Sequence, residues 1–350
     1  MSASFTALAG ARAARHVREQ GLRPADVACV PAAAGGPKGL ALIPLDTRLF
    51  GGWLRDAPHV ELIGASIGAW RMFAAAQVDP VAALARLADS YIEQRYPRDP
   101  TPGDVSAECR KLARAVLGGE RMPRLRDNVG LSLITTRARG VLDRNGSRAA
   151  FARAALANAR SRVRLAAHMQ RVLFDAGDAR FPAHRFDAFG LERVRLAPGN
   201  CEDALLASGS IPLVCEPVRD PAGAARGDYW DGGLIDYHLV LPYHTLGGVV
   251  LYPHFVPYVT PGWLDKFLPW RKRARAHPWL DNVLLIAPSR EFLARLPGGR
   301  LPERQDFHRY GLDHAARIRA WRRAIGECER FADEVMAWLE RPDPTRLAPL

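Results

Sequence analysis

Two short apolar runs, each followed by a helix-forming stretch, place the strongest constraint on the fold of this chain. The runs cover residues 26–32 and 59–64, and the stretches that follow cover residues 39–50 and 67–77. Short apolar runs bounded by glycine indicate buried strands, and strands that alternate with helices are typical of a parallel, doubly wound sheet. The sequence therefore predicts an α/β protein with a mostly parallel sheet flanked by helices.

The remaining elements are predicted from hydrophobic periodicity. We expect helices over residues 5–20, 80–118 with a break near 97–103, 149–174, 201–208 and 312–339. We expect strands near residues 129–136, 229–230, 249–252 and 283–287. Pro44 is a weak point in the helix over residues 39–50, because proline lacks the N–H that a helix needs. The last helix is amphipathic and is expected to pack on the core.

The composition indicates a sizeable core and no membrane-spanning helix. The chain has 350 residues, of which 48% are hydrophobic, and it contains no run of about 18 apolar residues. Charged residues from Arg12 onward interrupt the apolar start, which is therefore unlike a signal peptide. Five cysteines are scattered without a C-x-x-C pair, so neither a disulfide framework nor a zinc site is predicted. We expect a cytoplasmic protein that needs no metal or cofactor.

The formal net charge of +12 fits an anionic partner, which could be an anionic membrane or a nucleic acid. Arginine supplies nearly all of this charge, and no nucleic-acid recognition motif is found. Nucleic-acid binding is therefore not expected.

Ser66 lies in the turn Gly64-Ala65-Ser66-Ile67-Gly68, between a predicted strand and a predicted helix. Flanking glycines permit a bend that is too tight for a Cβ atom, and they leave the serine hydroxyl above the edge of the sheet. The helix that follows offers free N–H groups and the positive end of its dipole to an oxyanion. The pattern predicts a nucleophile, and the alternative is a serine that only caps the helix.

The loop Gly35-Gly36-Pro37-Lys38-Gly39 follows the first predicted strand and opens the next helix. Such a loop directs backbone N–H groups toward a negative centre. Pro37 has no N–H, so the donors are expected among Gly35, Gly36, Lys38 and Gly39. The known phosphate-binding glycine patterns are missing, which disfavours a phosphate cradle, and a flexible turn is the alternative.

Asp231 ends the aromatic, strand-like run Tyr229-Trp230 and precedes Gly232-Gly233. Asp-Gly is common in turns, and a simple turn is therefore the alternative. A serine nucleophile requires a base, however, and a carboxylate at the end of a strand is placed to accept its proton. Together the three segments supply a nucleophile, a base and N–H donors, which are the parts that acyl transfer needs.

Four segments resemble, in order, the motifs of the patatin-like phospholipase family. They are A-G-G-P-K-G at residues 34–39, G-A-S-I-G at 64–68, A-S-G-S-I-P at 207–212 and D-G-G at 231–233. They are similar to the oxyanion loop, the nucleophile turn, the A-S-x-A-x-P segment and the catalytic aspartate of that family. The resemblance spans about residues 28–240, and the rest of the chain carries none of these motifs.

The resemblance implies a three-layer, patatin-like fold and a lipid acyl hydrolase of the phospholipase A or lysophospholipase kind. Its catalytic domain would cover residues 1–250, and residues 251–350 would add an aromatic and basic segment, a strand and a C-terminal helix packed on the same domain. A Ser–Asp dyad is implied, in which Ser66 attacks the ester and Asp231 serves as the base and then the acid. The glycine loop would hold the oxyanion, and the substrate would be a phospholipid or another lipid ester.

The chain departs from the family pattern at three places. Ala34 replaces the first glycine of the loop, and Ser210 stands where the family usually has alanine. Asp236-Tyr237-His238 follows the D-G-G segment in place of the usual asparagine and proline.

Two alternatives to the dyad remain open. An α/β-hydrolase triad would combine Ser66 and Asp231 with a later histidine such as His238 or His244. A non-catalytic lipid-binding relative of the fold would use none of these groups for chemistry.

Residues 252–279 form an aromatic and basic segment. It contains Phe255, Tyr258, Trp263, Phe267 and Trp270, followed by Arg271, Lys272, Arg273 and Arg275. Aromatic rings beside basic groups suit a lipid interface. We expect peripheral binding to anionic membrane through this segment, and a packed loop with a solvated basic edge is the alternative.

Overall fold

The computed structural model describes residues 4–271 and 277–350, and a long β-sheet lies at its centre. The strands are β1 (Phe5–Ala9), β2 (Val27–Ala32), β3 (Val60–Ala65), β4 (Val129–Ala138), β5 (Met169–Gly177), β6 (Glu192–Arg195), β7 (Val218–Arg219), β8 (Asp228–Asp231), β9 (Val249–Pro253), β10 (Val283–Pro288) and β11 (Leu347–Pro349). Across the sheet they follow the order β11-β1-β10-β9-β2-β3-β4-β5-β6, and β8 pairs with β4 and β7.

Most of the central neighbours in this sheet are parallel. Strands β10, β9, β2, β3 and β4 form a continuous parallel block. The pairs β1–β10, β4–β5, β4–β8 and β7–β8 are antiparallel. Strands β9 and β10 come from the part of the chain without recognisable motifs, yet β9 lies directly beside β2, and β10 lies beside β9.

Helices flank the sheet. They are α1 (Ala11–Gln20), α2 (Ile43–Arg48), α3 (Ile67–Ala76), α4 (Pro80–Ile92), α5 (Pro102–Leu117), α6 (Arg148–Arg160), α7 (Arg162–Leu165), α8 (Cys201–Gly209), α9 (Arg290–Leu293), α10 (Gln305–Tyr310) and α11 (His314–Glu340). Helix α3 packs on β2, β3 and β4, α8 contacts β4 and β8, and α1 contacts β1, β9 and β10. The predicted α/β class with a mostly parallel, helix-flanked sheet is confirmed.

The helix predicted over residues 5–20 is wrong in its first part. Residues 5–9 form β1, which pairs antiparallel with β10, and the helix begins only at Ala11. An alanine-rich run of five residues fits either state locally, and pairing with a distant strand decides between them. Gly10 makes the turn possible, because a Cβ there would lie 2.2 Å from the carbonyl oxygen of Leu280.

The long helix predicted over residues 149–174 is broken at Ser161 and is wrong in its last part. Helix α6 ends at Arg160, α7 follows after Ser161, and β5 begins at Met169. Arg171, which falls inside the predicted helix, is buried in the strand and paired with Asp187 and Asp236. Periodicity alone cannot distinguish a buried, ion-paired arginine from a solvated one.

The other predicted elements lie within a few residues of their expected places. Pro44 falls in the first turn of α2, where its missing N–H breaks no helical hydrogen bond. The C-terminal helix is confirmed as α11, which packs on α2 and β1. In the described part of the chain, no helix is long and apolar enough to cross a membrane.

Candidate active site

Strands β3 and β8 run toward each other along the same edge of β4. Strand β3 is parallel to β4 and ends with the pair Ala65 and Ile134. Strand β8 is antiparallel to β4 and ends with the pair Asp231 and Thr135. Because Ile134 and Thr135 are consecutive, the two strand ends meet, and Ser66 follows immediately after Ala65. The structure thus brings together the two residues that the sequence placed at separate strand ends.

The turn at Ser66 is as tight as its glycines predict. Ser66 has φ 57° and ψ −130°, a conformation that L-residues rarely adopt. A Cβ on Gly64 would lie 2.4 Å from the backbone of Gly68, and one on Gly68 would lie 2.0 Å from the carbonyl oxygen of Ala32. Ser66 occupies the N-cap position of α3, but its side chain makes no capping hydrogen bond. The geometry therefore gives the hydroxyl no capping role.

The Ser66 hydroxyl instead lies in the same cavity as the carboxylate of Asp231 and favours the ionised form of that carboxylate. The same carboxylate accepts the backbone N–H of Gly233 at 2.7 Å. Both side chains are buried, with Ser66 6% exposed and Asp231 7% exposed. Burial raises the pKa of Asp231 to about 6, against the lowering effects of the Ser66 hydroxyl, the Gly233 hydrogen bond and the charge of Arg304. The group is thus ionised at neutral pH and more basic than an exposed aspartate.

The segment at residues 207–212 supports both members of this pair. The N–H of Ser66 donates to the Ser208 hydroxyl at 2.9 Å, and that hydroxyl donates to the carbonyl of Ile134 at 2.7 Å. The N–H of Asp231 donates to the carbonyl of Ser210 at 2.8 Å. The segment therefore fixes the backbone at the nucleophile and at the proposed base.

The glycine loop lies beside Ser66 and opens a 3₁₀-helix at Gly36–Leu42. In such a helix each N–H bonds to the carbonyl three residues earlier, so those of Lys38 and Gly39 fall within its pattern. In the described part of the chain, the N–H groups of Gly35 and Gly36 donate to no other protein atom. Gly36 has φ +57°, and a Cβ on Gly35 would lie 2.5 Å from the Phe255 ring. This arrangement favours Gly35 and Gly36 as the oxyanion donors.

His238 is buried, and its ring takes no part in the hydrogen bonding of Asp231 described above. Its Nδ1 accepts the N–H of Thr260 at 3.0 Å, and its ring stacks on Tyr237 with 4.4 Å between ring centres. Burial, together with the charge of His254, holds the pKa of His238 well below its usual range, so the ring is neutral. His244 lines a separate cavity with Arg12 that shares no lining residue with those at Ser66.

Two cavities meet at Ser66. The polar cavity, of about 350 Å³, is lined by Asp231, Lys38, Lys266 and Arg304 among others. The apolar cavity, of about 460 Å³, is lined by Trp70, Tyr91, Tyr96, Val105, Ile211 and Phe307 among others. Gly36, Ser66, Ile211 and Arg304 line both. A group held at Ser66 can therefore extend an apolar part into one cavity and a polar part into the other.

Sequence reasoning missed Lys266 and Arg304 as lining residues of the polar cavity. Lys266 lies inside the aromatic and basic segment at residues 252–279, which was assigned to a lipid interface, and Arg304 stands in no pattern that would mark it. The scarcity of lysine is a second signal for Lys266, since the chain contains only four lysines.

Asp236, which follows the D-G-G segment, has a structural partner. The guanidinium of the buried Arg171 donates to its carboxylate at 2.6 and 2.8 Å, and also binds Asp187. The same guanidinium lies 4.3 Å from the centre of the Phe186 ring. The departure from the family pattern at this point therefore coincides with a buried ion pair.

The aromatic segment at residues 252–279 is partly buried and partly exposed. Phe255 is buried, and Trp263 lines the polar cavity. Phe267 is 63% exposed and Trp270 is 69% exposed. Arg271 donates to the carbonyl of Asn158 at 2.6 Å and is thus tied to α6. The predicted basic residues Lys272, Arg273 and Arg275 lie outside the described residues.

Among the described residues, no three His, Cys, Asp or Glu side chains are grouped to hold a metal ion. The sequence matches no protein-family model, and it matches no curated protein.

Proposed function

We propose that this protein is a serine hydrolase of lipid carboxylic esters, related to the patatin-like phospholipases and working with a Ser66–Asp231 dyad. The observation that carries the proposal is the placement of a serine in a strained strand-to-helix turn beside a buried aspartate of raised pKa, in one cavity at the meeting strand ends. Activated nucleophiles are recognised by this pairing of hydroxyl and base. The four motifs in their family order add support.

The proposed reaction uses only groups at the junction of the two cavities. Asp231 accepts the hydroxyl proton as Ser66 Oγ bonds to the ester carbonyl carbon. The N–H groups of Gly35 and Gly36 stabilise the oxyanion that forms. As the C–O bond of the ester breaks, the protonated Asp231 returns its proton to the leaving alcohol. Water, deprotonated by the same carboxylate, then releases the acyl group and restores Ser66.

The apolar cavity supports an acyl chain as the substituent on the carbonyl side. Its lining is dominated by aromatic and aliphatic side chains, and its volume of about 460 Å³ lies in the range of small-molecule sites. Phospholipid, lysophospholipid and neutral lipid esters all supply such a chain.

The triad alternative receives less support from the geometry. A triad histidine has to accept the serine proton and donate to the aspartate. Asp231 instead shares its cavity directly with Ser66, and His238 Nδ1 is engaged by the backbone of Thr260. The alternative of a non-catalytic lipid-binding protein gives no functional reason for the strained turn at Ser66.

An active-site probe separates these possibilities. We expect a fluorophosphonate to label the wild-type protein at Ser66, and Ser66→Ala to abolish the labelling. Asp231→Asn is expected to reduce ester hydrolysis by about 10³-fold or more, as removal of a catalytic base does. His238→Gln is the control and is expected to retain hydrolysis. If Ser66 stays unlabelled in the folded protein, the non-catalytic lipid-binding alternative is favoured. If Asp231→Asn and His238→Gln lose ester hydrolysis equally, the triad is favoured.

Peripheral membrane binding is also proposed, through the exposed rings of Phe267 and Trp270. Exposed aromatic side chains near a catalytic cavity suit insertion into the headgroup region of a bilayer. We expect co-sedimentation with anionic vesicles to fall when both are changed to serine. Val163→Ser, which alters an equally exposed side chain elsewhere, is the control. Unchanged co-sedimentation of the double variant contradicts this proposal.

A further inference from the structure

Two cysteines from separate segments of the chain line the apolar cavity. Cys109 lies on α5 and is half-buried, whereas Cys215 follows the segment at residues 207–212 and is buried. Both are free thiols. The other cysteines of the chain are buried and line neither of the cavities at Ser66; they are Cys29, Cys201 and Cys328. A small molecule that enters the apolar cavity therefore meets two thiols and no others.

Cys215 is held at the face of α5 that carries Cys109. The N–H of Glu216 donates to the hydroxyl of Ser106 at 2.9 Å. A Cβ on Gly103 would lie 3.8 Å from the carboxylate of the same Glu216. Gly103, Ser106 and Cys109 follow one another at intervals of three residues, and residues at this spacing share one face of a helix. The residue that precedes Glu216 is thus placed beside Cys109.

The two thiols act on one another. Cys109 is the largest influence on the pKa of Cys215 and lowers it below its ordinary value. Cys215, together with burial, raises the pKa of Cys109. The charge of Arg304, which lines the same cavity, favours the thiolate form of both. Cys215 is therefore the thiol that loses its proton more easily, and the thiolate is the form of cysteine that reacts with an oxidant.

The same two segments supply walls of the apolar cavity. Val105 and Cys109 line it from α5, and Ile211, Leu213 and Cys215 line it from the segment that follows α8. The N–H of Cys215 donates to the carbonyl of Ile211 at 2.8 Å, so its sulfur is fixed relative to that wall. Leu213 is 48% exposed, and the cavity is thus open to solvent at this residue. A covalent bond between the sulfurs is shorter than a contact between free thiols and would draw the two walls together.

We propose that Cys109 and Cys215 are a site of reversible oxidation, at which a hydroperoxide converts the two thiols to a disulfide that narrows the apolar cavity. The Cys215 thiolate attacks one peroxide oxygen and the O–O bond breaks. A sulfenic acid forms, and the second oxygen leaves as water after taking up the thiol proton. The Cys109 sulfur then attacks the sulfenic sulfur, and its proton leaves with the displaced hydroxide as a second water. Two thiols lose two electrons in total, and one hydrogen peroxide is reduced to two waters.

Peptide mapping tests the bond itself. The reduced full-length protein is treated with hydrogen peroxide and digested without reducing agent, and linked peptides are identified by mass spectrometry. We expect a linkage between the peptides of Cys109 and Cys215 that dithiothreitol removes by thiol–disulfide exchange. Cys328→Ala, which alters a buried cysteine outside both cavities, is the control and is expected to keep the linkage. No linkage, or a linkage through another cysteine, overturns the proposal.

Binding of dansyl-labelled undecanoic acid, a fluorescent fatty acid, tests the effect on the cavity. We expect the oxidised wild-type protein, freed of peroxide, to bind it at least about fivefold more weakly, because a narrowed apolar site accommodates the chain only with strain. Dithiothreitol is expected to restore the binding. Cys109→Ala and Cys215→Ala are expected to bind the probe equally before and after peroxide.

Three results of the binding experiment contradict a narrowed cavity. They are no binding by the reduced protein, undiminished binding by the cross-linked protein, and equal losses in the wild type and both variants. If the variants do not fold, recovery of the wild-type protein decides, since a loss that dithiothreitol does not reverse comes from oxidation elsewhere. Neither measurement uses ester hydrolysis, so this inference stands or falls separately from the hydrolase proposal.

Discussion

The backbone N–H of Ser66 donates a 2.9 Å hydrogen bond to the hydroxyl of Ser208. The Ser208 hydroxyl in turn donates a hydrogen bond to the carbonyl of Ile134 at 2.7 Å, so one fully buried hydroxyl joins the nucleophile turn to β4. Ile134 is the residue of β4 that pairs with Ala65, immediately before Ser66. The conformation of the nucleophile is therefore held from the sheet as well as by its own glycines.

Ser208→Ala is expected to destabilise the fold by about 1–3 kcal/mol, because it leaves the buried Ser66 N–H and Ile134 carbonyl without partners. A loss of kcat is expected as well, since the nucleophile turn loses an anchor. Urea unfolding and ester hydrolysis measure the two effects. Ser210→Ala is the control, since its hydroxyl only donates to a carbonyl of its own helix, Leu206. Equal effects of the two substitutions contradict the special role of Ser208.

The activity is expected to rise with pH around pH 6. Burial raises the pKa of Asp231 to about 6, and only the ionised carboxylate accepts the Ser66 proton. A plot of log kcat/KM against pH for an uncharged ester therefore bends near pH 6, with a slope near one on its acid side. A bend near pH 4, the ordinary range of an exposed aspartate, indicates that a different group or environment controls the reaction.

Asp231→Asn is expected to stabilise the fold at neutral pH while abolishing activity. The pKa of Asp231 is raised from 3.8 to about 6 in the folded protein, so the folded state binds more protons than the unfolded state between these values. The stabilisation from Asp231 is thus complete below about pH 4 and is lost as pH rises through 6. The variant avoids this loss, which amounts to at most about 3 kcal/mol. Chemical unfolding at acidic and at neutral pH checks the difference, and an equal difference at both contradicts it.

Ser66→Gly and Ser66→Ala are both expected to be inactive but to differ in stability. Ser66 adopts a positive φ of 57°, which costs a residue with a Cβ about 1–3 kcal/mol. Glycine removes this strain and gives back roughly 0.4–1 kcal/mol through the greater freedom of the unfolded chain. We expect Ser66→Gly to be about 1 kcal/mol more stable than Ser66→Ala in urea unfolding. Equal midpoints of urea unfolding for the two variants would show that the turn carries no strain.

The sequence predicted the local setting of the site but not its assembly. The turns at Ser66 and Asp231 were assigned to strand ends from residues that lie next to them in the chain. Their meeting depends on the pairing of β3 and β8 with consecutive residues of β4, and strand register between distant segments leaves no local pattern. Residues 5–9 and 169–174 were assigned to helices for the same reason, because their strand state depends on distant partners.

Charge at the site was the least predictable property. The chain contains 49 lysines and arginines. Arg171 forms a buried ion pair, whereas Lys266 and Arg304 line the polar cavity without one in the described part of the chain. The neighbouring residues in the sequence do not reveal this difference. Only the folded arrangement shows which cations have acidic partners.

The meeting of β3 and β8 on β4 also bears on how the protein would lose its activity when heated. The spacing between Ser66 and Asp231 is set by the hydrogen-bond ladder of a strand that has neighbours on both sides, rather than by the conformation of a surface loop. Fraying of the outer strands β11 and β6 leaves that ladder intact. Thermal inactivation is therefore expected to coincide with melting of the central sheet, and a partly unfolded form that keeps this sheet would still hold its nucleophile and base together.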